Sequence, residues 1–247
     1  MVIARVELSG NISSRSAKQL REILSYIANS KKYEAAILVV NSGGGDANSS
    51  EILMEDVLKL RERMPVFTAI QGMGASGAYW IASGSTKIYA MNTSIIGSIG
   101  VLGIAPNVNE FLNKLGIKID IIKVGEYKDM LNPFSEGTEA AREKYRSILE
   151  HSYSVFKNSI SQNRKLSTEI IDKVSTGEIF SAPYALELGL IDKIASEEEA
   201  ISDVVKAYGL KRKIREVSPR KSLLERVVLS GFTSSLLSKI FGTVTER

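Results

Sequence analysis

Ser76 is the residue whose type and surroundings most resemble those of a catalytic nucleophile. It lies in the run GASGA at residues 74–78, which departs from the G-x-S-x-G nucleophile elbow only at the fifth position, Ala78. Such a turn would expose the Ser76 hydroxyl and place the Gly77 N–H where it could stabilise an oxyanion. The alternative is that Ser76 only caps the helix that begins there.

A serine nucleophile needs a base, and the composition restricts the candidates. The chain has no cysteine and a single histidine, His151, which excludes thiol chemistry, disulfides and multi-histidine metal sites. His151 falls about 130° from the centre of the apolar face of a helix predicted over 138–163, so we expect it to face solvent. That leaves a lysine as the base. Lys128, which follows a glycine turn and precedes Pro133-Phe134, is either this base or an ordinary solvated lysine.

Two glycine-rich segments could bind a substrate backbone. Gly43, Gly44 and Gly45 follow a predicted strand and form either a nest of N–H groups for an oxyanion or a plain flexible turn. Residues 97–101 (GSIGV) form a small, extended segment that a peptide could approach closely. Residues 72–77 also match the glycine spacing of a dinucleotide site, but no acidic residue follows at the ribose-binding distance. We therefore expect no cofactor.

Strand and helix patterns alternate along the chain, as in α/β proteins with a mainly parallel sheet. Strands are predicted over 2–8, 35–40, 66–70, 87–90, 95–101, 117–124 and 190–194. Helices are predicted over 76–82, 108–115, 138–163 and 181–189, from Asn48 with a capping box to Glu51, and from Ser196 to Tyr208 with a capping box to Glu199. Between Arg63 and Glu110 the one charged residue is Lys87, so this region should be largely buried.

The net charge of +4 resides in the C-terminal segment. Residues 211–247 carry nine Lys or Arg and three Asp or Glu, which leaves residues 1–210 slightly acidic. We therefore expect a folded domain over 1–210, a basic tail over 211–247 and no nucleic-acid-binding surface. The amphipathic stretch 220–241 could lie on an anionic membrane surface or pack on a neighbouring subunit. No apolar run approaches the roughly 18 residues that span a bilayer.

Taken together, four segments resemble the signal peptide peptidase A family of Ser–Lys peptidases, in its short single-domain form, within the Clp-protease/crotonase superfamily. They are NSGGG at 41–45, GASGAY at 74–79, GSIGV at 97–101 and the segment from Gly125 through Tyr127-Lys128-Asp129 to Pro133-Phe134. The resemblance covers about residues 1–205. It implies that Ser76 is the nucleophile, Lys128 the general base and Ser98 the serine that hydrogen-bonds the lysine.

The resemblance also implies a fold and a substrate class. The fold is a superhelix of repeated strand-strand-helix units with a mainly parallel sheet, and the substrates are extended, apolar peptides such as remnant signal peptides. We expect Gly44 and Gly77 to form the oxyanion hole. We expect the substrate to contact Gly43, Gly45, Gly100, Val101 and Leu102. Gly43 stands where the family usually has proline, so the loop loses a fixed φ angle.

Members of this family form dome-like rings in which neighbouring subunits help to complete each active site, so a homo-oligomer is expected. They usually carry an N-terminal membrane anchor, whereas this sequence begins at a predicted strand. Either the anchor was removed or this is a soluble form. Two other functions stay open: an α/β-hydrolase-type esterase that uses Ser76 and His151, and a crotonase-like protein that binds acyl-CoA.

Overall fold

The computed structural model describes residues 2–218, which form a mixed α/β fold. In chain order the elements are β1 Val2–Ser9, α1 Ser14–Asn29, β2 Tyr33–Ser42, α2 Ala47–Arg61, β3 Val66–Ala75, α3 Gly77–Ser83, β4 Lys87–Ala90, β5 Ile95–Gly97, α4 Asn109–Lys114, α5 Glu139–Arg164, α6 Thr168–Val174, β6 Ile179–Ser181, α7 Ala182–Glu187, β7 Lys193–Ile194, α8 Glu197–Tyr208 and β8 Ile214–Glu216. Helices α1 and α6 are not among the elements predicted from the sequence.

A single sheet of eight strands organises these elements. Its order is β6-β5-β3-β2-β1-β8, and β4 pairs with both β3 and β7. All pairs are parallel except β5 with β6. This arrangement confirms the predicted α/β class with a mainly parallel sheet.

Strand β3 changes neighbours along its length. Residues 67–70 pair with β4, whereas residues 73–75 pair with β5. The strand therefore runs five residues beyond the predicted end at Ile70 and leads directly into Ser76. The second half is rich in glycine and has little intrinsic strand preference, so its pairing with β5 and β2 is what keeps it extended.

The core lies on both faces of this sheet. Helices α1, α2, α3 and α5 contribute to the larger cluster, together with alternate residues of β1 and β2. A smaller cluster under α8 contains the residues of the opposite face, including Ile3, Ile37 and Phe67. The expectation that residues 63–110 are largely buried is confirmed as far as Ile99, after which the chain emerges from the core.

Two local predictions are wrong. Residues 117–124 form no strand, because nothing in the described part of the chain pairs with them, and Ile122 and Val124 are 97% and 95% exposed. The capping box from Asn48 to Glu51 is also absent: Asp46 caps α2 instead, and its carboxylate accepts a hydrogen bond from Ser49 N at 2.8 Å. Both sequence patterns are locally compatible with the predicted features. The strand is absent because no described strand pairs with it, and the capping box is absent because Asp46 caps the helix at an earlier position.

The C-terminal predictions are only partly within the described range. The capping box of α8 is confirmed, with Ser196 and Glu199 bonded reciprocally. Strand β8 pairs with β1, so the sheet includes part of the segment that begins at residue 211. The amphipathic stretch 220–241 lies outside the described residues. None of the helices within 2–218 combines the length and apolar character needed to cross a membrane.

Candidate active site

Ser76 occupies a sharp turn between β3 and α3. Its backbone has φ +51° and ψ −128°, a conformation that L-residues rarely adopt, and its N–H donates to Gly97 O at 2.7 Å. Its side chain makes no capping hydrogen bond to α3. A capping role therefore does not explain this serine, and its hydroxyl is available for chemistry.

The glycine loop after β2 lies directly against this turn. A Cβ added to Gly44 would come within 2.8 Å of both Gly77 N and Ser76 Cβ, so only glycine permits this approach. A Cβ added to Gly77 would overlap the Ser50 hydroxyl of α2. Close backbone packing around Ser76 therefore requires glycine at positions 44 and 77. This packing brings the predicted segments 43–45 and 74–78 together.

The N–H groups without an acceptor beside Ser76 differ by one residue from the predicted oxyanion pair. Gly44 N donates to Ser42 Oγ at 3.1 Å, so this N–H is already engaged. Neither Gly45 N nor Gly77 N has an acceptor among residues 2–218. Because Gly77 packs on the loop within a few ångströms of Gly45 N, these two N–H groups, rather than those of Gly44 and Gly77, are unbonded beside Ser76.

Ser98 follows β5 and faces the same space. It also has a positive φ of +51°, and its N–H donates to Glu178 O at 2.6 Å. Strand β6 pairs with β5, and the residues before β6 continue this contact as far as Ile99. The Ile99 carbonyl accepts a hydrogen bond from Gly177 N. Beyond this point, residues 100–107 make no backbone–backbone hydrogen bond within the described part of the chain. They are free to pair with an extended peptide.

These residues line one cleft of about 980 Å³. The predicted residues that reach it are Ser76, Gly77, Ser98, Gly43, Gly44, Gly45, Gly100, Val101 and Leu102. Helix α5 adds Tyr145, Leu149, Ser152 and Phe156, none of which the sequence singled out as site residues. The spacing of these four residues follows one helical face, but the same face continues into core positions, so sequence alone could not separate the two uses.

The charge of the cleft bears on the alternative functions. Asp46 is the one charged residue that lines it within the described range, and no lysine or arginine does. A cleft of this kind is poorly suited to the phosphates of an acyl-CoA. His151 is exposed on α5, as predicted, and is not among the lining residues. The geometry therefore favours neither the acyl-CoA-binding protein nor the Ser76–His151 esterase.

Lys128 is not brought to the cleft within this single chain. It is exposed and lies on residues 101–137, which we call the arm. The arm packs little against the core and exposes many large apolar side chains. These are Leu102, Ile104, Phe111, Leu115, Ile117, Ile119, Ile122, Val124, Leu131 and Phe134.

The neighbouring carboxylate is held by a different lysine. Lys123 Nζ donates to Asp129 Oδ1 at 2.6 Å and to Glu126 O at 2.9 Å. This hydrogen bond from Lys123 lowers the pKa of the Asp129 carboxyl from its ordinary value. Lys128 has no carboxylate within ion-pair distance among residues 2–218, although Asp129 adjoins it in sequence.

Helix α3 is held in place by contacts with α5 and with the loop that follows α7. Trp80 Nε1 donates to Ser159 Oγ at 2.8 Å, and the indole stacks on Phe156 with ring centroids 4.5 Å apart. Tyr79 OH donates to Leu190 O at 2.7 Å. Burial raises the pKa of Tyr79, so its phenol stays protonated and remains a donor. These bonds hold the helix whose first turn presents Ser76.

Comparison with known proteins agrees with this geometry. Residues 59–211, more than half of the chain, match the profile of peptidase family S49. The protein slr0021 of Synechocystis sp. is 32% identical over 95% of this chain and 84% of its own length. SohB of Haemophilus influenzae is 32% identical over 81% of this chain, and the chloroplastic serine protease SPPA of Arabidopsis thaliana is 29% identical over 95%. The chain spans 57% and 36% of those two relatives.

A solved structure shares the fold. It is a mutant of the membrane-bound stomatin-specific protease 1510-N, with a TM-score of 0.59 and 16% identity, and the match covers 88% of this chain and 98% of that one. At this identity the likeness bears on the fold alone. The match to the family profile and the relatives at about 30% identity carry the assignment: the chain belongs to peptidase family S49.

Proposed function

We propose that this protein is a serine endopeptidase in which Ser76 is the nucleophile and Lys128 the general base. The observation that carries the proposal is the Ser76 turn: a positive φ, a hydroxyl with no capping bond and two unbonded N–H groups beside it. A relative in Arabidopsis thaliana is named as a serine protease, which supports the same chemistry.

The reaction has two symmetrical halves. Neutral Lys128 accepts the Ser76 proton as Oγ attacks the peptide carbonyl, and the N–H groups of Gly45 and Gly77 bind the oxyanion. Collapse of this intermediate breaks the C–N bond, and the leaving amine takes the proton from Lys128. A water molecule then attacks the acyl-enzyme, with Lys128 again as base and then as acid.

The base must be neutral to begin this cycle. A lysine becomes a base when it is desolvated and no carboxylate stabilises its cation. The engagement of Asp129 by Lys123 removes the nearest carboxylate. Asp46 is the one acidic residue that lines the cleft within the described range, and its carboxylate is engaged by Ser49 N at the start of α2. We assign the Ser98 hydroxyl to orienting the Lys128 amine.

Extended, apolar peptides fit the cleft best, and remnant signal peptides belong to this class. The free backbone of residues 100–103 can add a peptide as a strand, while Val101, Leu149 and Phe156 supply an apolar wall. The small residues of both glycine segments leave room for the substrate backbone. Side chains near the cleaved bond should therefore be small or apolar.

The active protein is a homo-oligomer in this proposal. The exposed apolar side chains of the arm need a partner surface, and Lys128 lies on the same arm, away from the cleft of its own chain. Packing of arms between copies in a ring would bury these side chains and bring a lysine to each cleft.

Cleavage of an unfolded, apolar peptide tests the proposal. Wild type should cleave it, and Ser76→Ala should reduce the rate by about 10³-fold or more, because the nucleophile is lost. His151→Ala is the matched control and should retain full activity. Loss of cleavage in His151→Ala, or its retention in Ser76→Ala, would contradict the assignment.

A further inference from the structure

We propose that Ser42 is a positioning residue, which holds the glycine loop 43–45 so that the Gly45 N–H points into the oxyanion site. The inference rests on the proposed peptidase function and deepens it, because it identifies the side chain that organises the loop. Ser42 is the last residue of β2, and only 2% of its surface is exposed.

The Ser42 hydroxyl bridges two segments of backbone. It donates to Gly10 O at 2.6 Å and accepts from Gly44 N at 3.1 Å. Gly10 lies in the turn after β1, so the bridge ties the loop to the end of a central strand. Both the donor and one acceptor position of the hydroxyl are therefore used.

The same turn holds the loop from its far side. Ile12 N donates to Gly44 O at 2.9 Å, and Asp46 N donates to Ile12 O at 2.8 Å. The first bond holds the carbonyl of the peptide unit that contains the Gly45 N–H, and the second holds the residue after Gly45. Ser42 thus supplies the one side-chain hydrogen bond that reaches residues 43–45 within the described part of the chain.

The hydrogen bond from Gly44 N to Ser42 Oγ matters because it restrains a loop of three consecutive glycines. Gly44 and Gly45 have φ values of +100° and +156°, and glycine samples many other conformations at little cost. Removal of the Ser42 bond frees the Gly44 N–H and leaves the peptide unit that joins Gly44 to Gly45 held by the bond from Ile12 N to Gly44 O. The loop can then tilt about this remaining bond and displace the Gly45 N–H from Ser76. The oxyanion forms only during the reaction, so such a loss weakens transition-state binding and leaves substrate binding nearly unchanged.

Gly43 offers an independent way to stiffen the loop. Its φ is not positive, and its N–H has no acceptor among residues 2–218. The nearest atom to a Cβ added there is Met73 Sδ at 3.3 Å, the end region of a flexible side chain. Proline at this position would break no hydrogen bond and would meet a flexible side chain rather than backbone.

The test measures kcat and KM on an apolar peptide, together with inhibition by a peptide aldehyde whose hemiacetal oxygen occupies the oxyanion site. Ser42→Ala should lower kcat by about 10- to 100-fold, with KM changed less than about twofold and aldehyde affinity reduced in parallel. Ser42→Thr, which keeps the hydroxyl, should retain most of the rate. Gly43→Pro added to Ser42→Ala should restore much of kcat.

Ser85→Ala is the matched control, since Ser85 is equally buried and its hydroxyl bonds Thr68 away from the cleft. It should lower the melting temperature and leave kcat unchanged. An unchanged kcat in Ser42→Ala would overturn the inference. A loss of kcat that neither threonine nor Gly43→Pro restores would also overturn it. A wild type that fails to cleave, or a Ser76→Ala variant that still does, would instead refute the peptidase proposal.

Discussion

Ser76 is oriented by its backbone rather than by its side chain. The positive φ, the hydrogen bond from Ser76 N to Gly97 O and the contact with Gly44 together fix the direction of Cβ. Holding a non-glycine residue in this backbone conformation raises the free energy of the folded state by about 1–3 kcal/mol, which the surrounding packing must offset. Ser98, at the end of the adjacent strand, also has a positive φ, so both of these serines of the cleft are oriented by an unusual backbone conformation.

In the proposed mechanism, the hydrogen bond from Lys123 to Asp129 keeps this carboxylate from pairing with Lys128, and substitution of Lys123 tests this role. The lowered pKa of Asp129 means that the pair persists at neutral pH and is lost only as the pH falls through that lowered value. In Lys123→Met the freed Asp129 carboxylate can pair with Lys128 and keep it protonated. Peptide cleavage at pH 7 should then fall by about tenfold.

The double variant provides the control for this effect. Asp129→Asn added to Lys123→Met removes the freed charge, so cleavage should return to near the wild-type rate. If the single variant cleaves normally, or if the double variant remains slow, Asp129 does not control the charge on Lys128.

At the scale of elements, β3 and α3 flank Ser76, the proposed nucleophile, and the prediction of both elements succeeded for a clear reason. The apolar run 66–70 and the glycine-flanked Ser76 are local signals, and both were found. The extension of β3 to Ala75 and the absence of a strand over 117–124 depend on which partner strand is available. The α5 wall of the cleft likewise depends on how this long helix packs against α3, which short sequence patterns do not encode.

Arg164 connects the end of α5 to the loop that anchors α3. Its side chain is 8% exposed and donates to Gly189 O at 3.0 Å and to Asp192 Oδ2 at 3.0 Å. Arg164→Met should lower the free energy of unfolding in urea by about 2–4 kcal/mol, because it removes the cation paired with Asp192 and the side-chain donors to the Gly189 carbonyl.

Arg142→Met is the corresponding control on the same helix. Arg142 pairs with Glu139 at the surface, where both side chains are largely exposed. Its loss should change the unfolding free energy by less than about 1 kcal/mol. Equal effects of the two substitutions would show that the Arg164 contacts contribute no more than a surface pair.

At the scale of the whole molecule, the arm differs from the rest of the described chain because it packs little against the core. The sheet and its helices form a complete core, whereas residues 101–137 expose apolar side chains and carry Lys128. The sequence over 117–124 predicts a strand, which the structure does not form. The apolar residues of this segment are equally consistent with an interface between copies. The pattern of one chain does not distinguish a strand from such an interface.

Ile122→Asp should prevent assembly and abolish cleavage while the sheet remains folded, since a charge in a desolvated interface is strongly unfavourable. Sedimentation velocity and peptide cleavage measure the two effects on one sample. Tyr26→Asp, at an exposed aromatic residue of α1 outside the arm, should leave both unchanged. A fully active Ile122→Asp monomer would contradict the role of the arm.

The most direct test of the central claim is peptide cleavage by Lys128→Arg. Arginine keeps the length and positive charge of the side chain but does not lose its proton in proteins, so it cannot act as the base. The Ser76–Lys128 assignment predicts that the variant assembles like wild type and cleaves at least about 10³-fold more slowly. Cleavage at the wild-type rate by a correctly assembled Lys128→Arg protein would contradict it.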